Sequence, residues 1–300
     1  MSAPARNIHE SNRVDDQADK TKVFVISPTS STFLSSWQDL WNYRDLMYLF
    51  IRRDYVTRFK QTILGPLWFV LQPLLVTLVF TVIFSGLGRI PTDGIPPLLF
   101  YMSGMLLWNY FVQCFDVISN SLLSHQHLYS KVYIPRLTIP LAAIGSRLFQ
   151  LAIQLASFLG FYVYFIAIEG VQFDVNPLTT LILFPLLVLL TGAFALGAGL
   201  WLASLSVKYR DLLQLSGLAT QLLMYASPII YPISRIPERW RDLLYFNPLA
   251  MPIELTRYAF FGSGTYTVEY AFSGIAITLI TLFSGILVFN RTTRNFVDSI

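Results

Sequence analysis

The sequence predicts an all-α polytopic membrane protein. It should have six transmembrane helices, an N-terminal amphipathic helix at the membrane interface, and short re-entrant outer helices between spans five and six. Three observations carry that reading. Between charged residues run six long uncharged stretches: Gln61–Gly88, Gly94–Phe115, Leu148–Ile168, Val175–Val207, Leu212–Ser234 and Tyr270–Asn290. Each reaches the ~20 residues that a helix needs to cross a ~30 Å hydrocarbon layer. Charged residues make up 13% of the 300-residue chain and apolar residues 54%, against about 25% charged in soluble domains. Finally, the basic residues alternate between the connecting segments, as lysine and arginine near span ends do when they set orientation.

The alternation runs as follows. Arg44, Arg52, Arg53, Arg58 and Lys60 precede the first span. Lys131 and Arg136 separate spans two and three, Lys208 and Arg210 separate spans four and five, and Arg291 and Arg294 follow the last. These segments belong in the cytoplasm, which places both termini there. Glu169 and Asp174, without a basic neighbour, mark an outer loop. One segment resists: Arg235–Glu269 holds four arginines yet falls outside by parity. A longer loop can translocate despite its charge.

Element by element, residues 1–36 form a polar arm of mixed charge. They lack the apolar core of a cleavable signal and have the composition of a disordered segment. Residues 37–62 come next, with Leu46, Leu49, Phe50 and Val56 near helical spacing among the arginines. Such a basic amphipathic helix lies in the headgroup plane. It is either an anchor alone or an anchor that also carries motion from a cytoplasmic partner to the first span. Residues 63–300 form the transmembrane domain. Gly65-Pro66 opens span one, where proline suits a helix's first turn, and Pro73 should kink it. Residues 119–138 read as a short cytoplasmic helix and a turn. In span four, Ala195, Gly199 and Ala203 at four-residue spacing should let helix backbones approach closely. Span five meets Pro228 and Pro232 and should break there. Residues 232–265 then read as two short outer or re-entrant helices, rich in aromatics and separated by Asn247-Pro248.

The chemistry in the chain is as telling for what is missing. There is no G-x-x-x-x-G-K-[ST] loop to cradle ATP phosphates. No metal site is expected, because His125 and His127 are two apart and would point in different directions on a helix. The spans nearly lack acids, which leaves a proton-coupled carrier few relay groups. No paired catalytic groups suggest an intramembrane enzyme. The spans are instead rich in aromatics (Trp68, Tyr101, Trp108, Tyr110, Phe111, Phe115) and amides (Gln72, Asn109, Gln113, Gln150, Gln154, Gln214, Gln221). Those groups serve either helix–helix contacts and interfacial belts or a conduit of ring faces and amides suited to sugars. Arg147 either snorkels to the inner headgroups or contacts a phosphate.

Four motifs occur in order: Leu64-Gly65-Pro66-Leu67-Trp68, Lys131-Val132-Tyr133-Ile134-Pro135-Arg136, Lys208-Tyr209-Arg210-Asp211 and Tyr245-Phe246-Asn247-Pro248-Leu249. Together with six spans they resemble the permease subunit of the ABC transporters that export polysaccharides and polyol phosphates, and most of all an O-antigen exporter. The resemblance covers Trp37 to the C-terminus. It implies an inner-membrane homodimer that works with two copies of a separate ATPase, which binds ATP and magnesium, so that this chain has no cofactor of its own and catalyses nothing. It implies a polyprenyl-pyrophosphate-linked glycan as substrate, with membrane lipids and no nucleic acid among the partners. It implies a gate helix with Arg52, Arg53, Arg58 and Lys60, joined by Arg147 near a lipid phosphate. It implies a coupling segment with Ser124, His125, His127, Tyr129 and Lys131. The family's channel between two copies raises Trp68, Gln72, Tyr101, Trp108, Tyr110 and Phe115 as its lining. A drug or lipid exporter of the same superfamily is the alternative, and an ion-coupled carrier a further one.

Overall fold

A computed structural model describes residues 41–59, 65–126, 134–244, 246–264 and 267–297. The side chains of 58, 59, 66 and 294–297 lie outside that description, as do the arm 1–36 and the positions Lys60, His127, Tyr129 and Lys131. Among the described residues all regular structure is helical: α1 (Arg44–Phe59), α2 (Trp68–Phe80), α3 (Pro97–Ser119), α4 (Ser121–Ser124), α5 (Thr138–Ala167), α6 (Pro177–Ser206), α7 (Leu212–Tyr225), α8 (Glu238–Leu244), α9 (Ala250–Phe261) and α10 (Val268–Val297).

Among the described residues five helices are long and apolar enough to cross a membrane: Trp68–Leu87, Pro97–Ser119, Thr138–Ala167, Pro177–Ser206 and Val268–Thr293. The sixth uncharged stretch, Leu212–Ser234, does not form one continuous helix. Only 14 residues are helical, about 21 Å at 1.5 Å per residue. Proline disfavours helical backbone in the residue before it, and Ser227 stands before Pro228. The chain then continues as a non-helical leg in which Ser227, Pro228, Ile229 and Ile230 are buried. Irregular backbone at membrane depth needs protein partners. Asn247 supplies one, its Nδ2 donating to the Ala226 carbonyl (3.2 Å) and to Ser227 Oγ (2.9 Å).

α3 is the most enclosed of these five long helices. Leu99 to Trp108 are all buried, packed mainly against α6 and α5. Small residues make those approaches possible. A Cβ on Gly192 would lie 2.9 Å from Tyr110 Oη, and one on Gly199 2.7 Å from Ile118 Cγ2. α6 and α10 cross as closely: a Cβ on Gly197 would sit 2.6 Å from the Leu282 backbone, and Trp201 Nε1 donates to Ser284 Oγ at 2.9 Å. Ala195 and Ala203, the other small residues noted in span four, are fully buried.

α2 is the opposite case. Thr77 is its only buried residue among the described ones, and the continuation Thr81–Leu87, wound as a π-helix, buries none. Thr77 Oγ1 donates to the Pro73 carbonyl (2.8 Å) and Thr81 Oγ1 to the Thr77 carbonyl (2.9 Å). Such side-chain bonds bend helices, and π segments concentrate at functional places.

α9 is held from inside the protein. Nearly all of α9 is buried. Its C-terminal carbonyls, which no helical N–H can reach, are met by side chains: Tyr162 Oη donates to the Phe260 carbonyl at 2.8 Å and Thr180 Oγ1 to that of Ala259. Gly262 ends the helix with φ 68°, a left-handed conformation that glycine adopts without strain.

Candidate functional site

The candidate lining residues separate into two environments. Trp68 is 46% exposed and Gln72 is exposed. Tyr101, Trp108 and Tyr110 are 0%, 5% and 3% exposed within the core. Phe115 is partly buried, its ring stacked on Phe111 at 5.6 Å between centroids. A wall between two protomers must be built from outward-facing groups. Trp68 and Gln72 meet that condition; Tyr101, Trp108 and Tyr110 instead pack α3 against its neighbours. Gln214 and Gln221, offered by the sequence among the amides of a conduit but not among the lining residues raised by the resemblance, are both exposed on α7 beside Leu215, Leu218 and Leu222. α7 buries none of its residues. Behind α2 lies a small crevice of about 20 Å³ between α2, α3 and α5, with Thr77, Asn109, Gln154 and Ser157 as its polar lining.

α1 runs from Arg44 to Phe59 and packs chiefly on α5. A Cβ on Gly145 would lie 2.7 Å from Ile51 Cδ1. The Tyr55 ring meets that of Phe149 edge-on at 4.5 Å, with planes at 83°. Arg52 is exposed. Arg53 is exposed too, paired to Asp54 (Nη2–Oδ1 2.9 Å) and lying over the Phe50 ring. The backbone of Arg58 continues the same helix. Arg147 is 4% exposed on α5, so its side chain lies within the protein.

On the segment between α3 and α5, Ser124 is exposed at the end of α4. His125 is half-buried, with Nδ1 3.2 Å from the Ser121 carbonyl. Where the described chain resumes, Ile134 is buried. Arg136 Nη1 donates to the Asn290 carbonyl of α10 at 2.9 Å.

One constellation was missed from sequence. Glu254 and Arg257 are 2% and 1% exposed on α9. Arg257 Nη1 lies 3.2 Å from Glu254 Oε2, and Nη2 donates to the Ile229 carbonyl at 3.1 Å. The guanidinium sits 3.6 Å over the Phe100 ring, and Gly104 leaves room for it, since a Cβ there would lie 3.2 Å from Nη2. Burial lowers the Arg257 pKa, and the Glu254 carboxylate opposes that most strongly. This one side chain therefore joins α9, the leg after α7 and the start of α3. Acid and base at i, i+3 inside an otherwise apolar helix was the available signal. Counting both residues as loop charges hid it. It also removes one arginine from the segment whose charge conflicted with an outer placement.

The sequence also has known relatives. The ABC-2 type transporter family matches residues 45–261. The O-antigen export system permease protein RfbA of Klebsiella pneumoniae is 26% identical over 258 residues, covering 85% of this chain and 94% of the relative. The RfbA of Myxococcus xanthus is 26% identical over 266 residues, 88% and 98% of the two chains. The capsule polysaccharide export inner-membrane protein CtrC of Neisseria meningitidis serogroup B is 22% identical over 267 residues, 87% and 96%. With its apolar helices and this match over most of its length, the chain belongs to the ABC-2 type transporter family, as a membrane subunit.

Proposed function

We propose that the chain is the permease of an ATP-driven exporter that moves a polyprenyl-pyrophosphate-linked polysaccharide, of O-antigen type, across the bacterial inner membrane. Two copies form a conduit between them and two copies of a separate ATPase drive it. The observation that carries this reading is the near-full-length match to relatives named for O-antigen and capsule export. The absence of a phosphate-cradling loop from the sequence supports a separate engine. The sparsely buried α2 and α7, with Trp68, Gln72, Gln214 and Gln221 outward, support a conduit between protomers. Rings stack on the apolar faces of sugars while amides meet hydroxyls, and a path open at both ends suits a polymer that no closed cavity could hold.

In this reading α7 and the leg after it act as the fifth crossing, so both termini face the cytoplasm. Residues 119–138 receive the ATPase, and α1 meets the lipid-linked end with its exposed arginines. The test is reconstitution. The chain and its ATPase, purified together and placed in vesicles, should move lipid-linked glycan across the bilayer only with hydrolysable ATP. Movement of a drug or simple lipid but not glycan would transfer the assignment to that class of exporter. Transport by the chain alone under an ion gradient would overturn the ATPase-driven account.

A further inference from the structure

We propose that Gly145 is the seat through which motion of the cytoplasmic segment 119–138 reaches the interfacial helix α1, with α5 as the lever. The inference rests on the exporter reading above and adds a route and two positioning residues to it.

The geometry is a matched pair of contacts. Ile51 of α1 sits against Gly145 of α5, where a Cβ would lie 2.7 Å from Cδ1 and 3.3 Å from Cγ1. One turn further along both helices, Tyr55 packs edge-on against Phe149 at 4.5 Å. Both helices advance by four residues between the two contacts, so a row on one lies along a row on the other. That is how helices interlock when i±4 ridges pair. Glycine at the first contact brings Ile51 against the α5 backbone, so the helices cannot slide independently without lifting Ile51 out.

α5 is also the direct continuation of the cytoplasmic segment. A turn closed by the Thr138 amide on the Pro135 carbonyl (2.9 Å) starts the helix. Gly145 lies seven residues on, about 10 Å along a rigid helix. The turn itself is tied to α10 by Arg136 on the Asn290 carbonyl. In this reading a force on the segment tilts the first half of α5, and α1, which packs chiefly on α5 and meets it there at Gly145 and Phe149, moves with it. Arg52 is exposed on the helix so moved.

A bump-and-hole experiment tests this. Gly145→Leu fills the seat, Gly145→Ala fills it in part, and Ile51→Ala empties the opposing side. Tyr48→Cys on the exposed face of α1 takes a fluorescent label, while the native Cys114 is buried. Each variant is purified with the ATPase, and the label is followed as ATP is added. The wild-type background should give an ATP-dependent change. Gly145→Leu should reduce it about fivefold with complex yield and ATP hydrolysis retained, a typical size for one residue's effect on coupling. Gly145→Ala should reduce it less, and Ile51→Ala should restore it in the Gly145→Leu background. An unchanged response in Gly145→Leu would overturn the inference and leave the exporter reading standing. So would a loss that Ile51→Ala does not restore. Failure of the wild-type chain to assemble with any ATPase would overturn the exporter reading, and the inference with it.

Discussion

Replacing Arg257 with methionine isolates the buried ion pair. Methionine keeps a long apolar side chain at the site and removes the guanidinium. Glu254, 2% exposed, then loses its 3.2 Å partner, and the Ile229 carbonyl loses its 3.1 Å donor. Removing one member of a buried pair costs about 3–5 kcal/mol, because the remaining buried charge loses its compensating opposite charge. Losing a desolvated cation over an aromatic ring, here 3.6 Å from Phe100, adds about 2 kcal/mol. The midpoint of thermal unfolding in detergent should fall by roughly 10 °C. The double variant Arg257→Met with Glu254→Met should recover most of that loss, since apolar replacement of a whole buried pair is often neutral. If the double variant is as unstable as the single one, charge balance is not what the pair provides. Shape or the bond to Ile229 would then have to explain it. If Arg257→Met alone is harmless, the pair does not hold the hairpin.

Other outcomes follow from the same contacts. Tyr162→Phe and Thr180→Val each strip the donor from a carbonyl at the end of α9; each should cost about 1–3 kcal/mol, read as a lower unfolding midpoint. Tyr101→Phe should be neutral or slightly stabilising by the same measurement, because the buried Tyr101 hydroxyl has no hydrogen-bond partner among the described residues to lose. A photo-crosslinking residue at Trp68 or Gln72 should capture glycan during export, whereas one at Trp108, in the core, should capture none; capture at Trp108 alone would place the conduit inside the protomer.

The sequence made most helix boundaries legible, because charges are scarce and mark the ends; Arg147, buried inside a helix that begins at Thr138, is the exception. The break at Pro228 and the close packing of span four were legible too, since proline and small residues act locally. Helix rotation was not. Trp68 and Trp108 look alike as aromatics in apolar helices, and only packing turns one outward and the other into the core. Glu254 and Arg257 were hidden for a related reason: a charge count cannot distinguish a solvated loop from a pair that neutralises itself inside protein. The π winding at Thr81–Leu87 has no composition of its own, so nothing in that apolar run announced it. The fifth uncharged stretch, Leu212–Ser234, forms an α-helix over only 14 residues, because absence of charge says where a chain can be buried, and helix continuity is a separate matter.

The most direct measurement is made in the host. The gene is deleted, cells are fractionated, and lipid-linked glycan is resolved by gel on each side of the inner membrane. The account predicts long lipid-linked polymer accumulating on the cytoplasmic side and lost from the surface, with both restored by the wild-type gene. Unchanged surface glycan, with no polymer accumulating inside, would contradict the account.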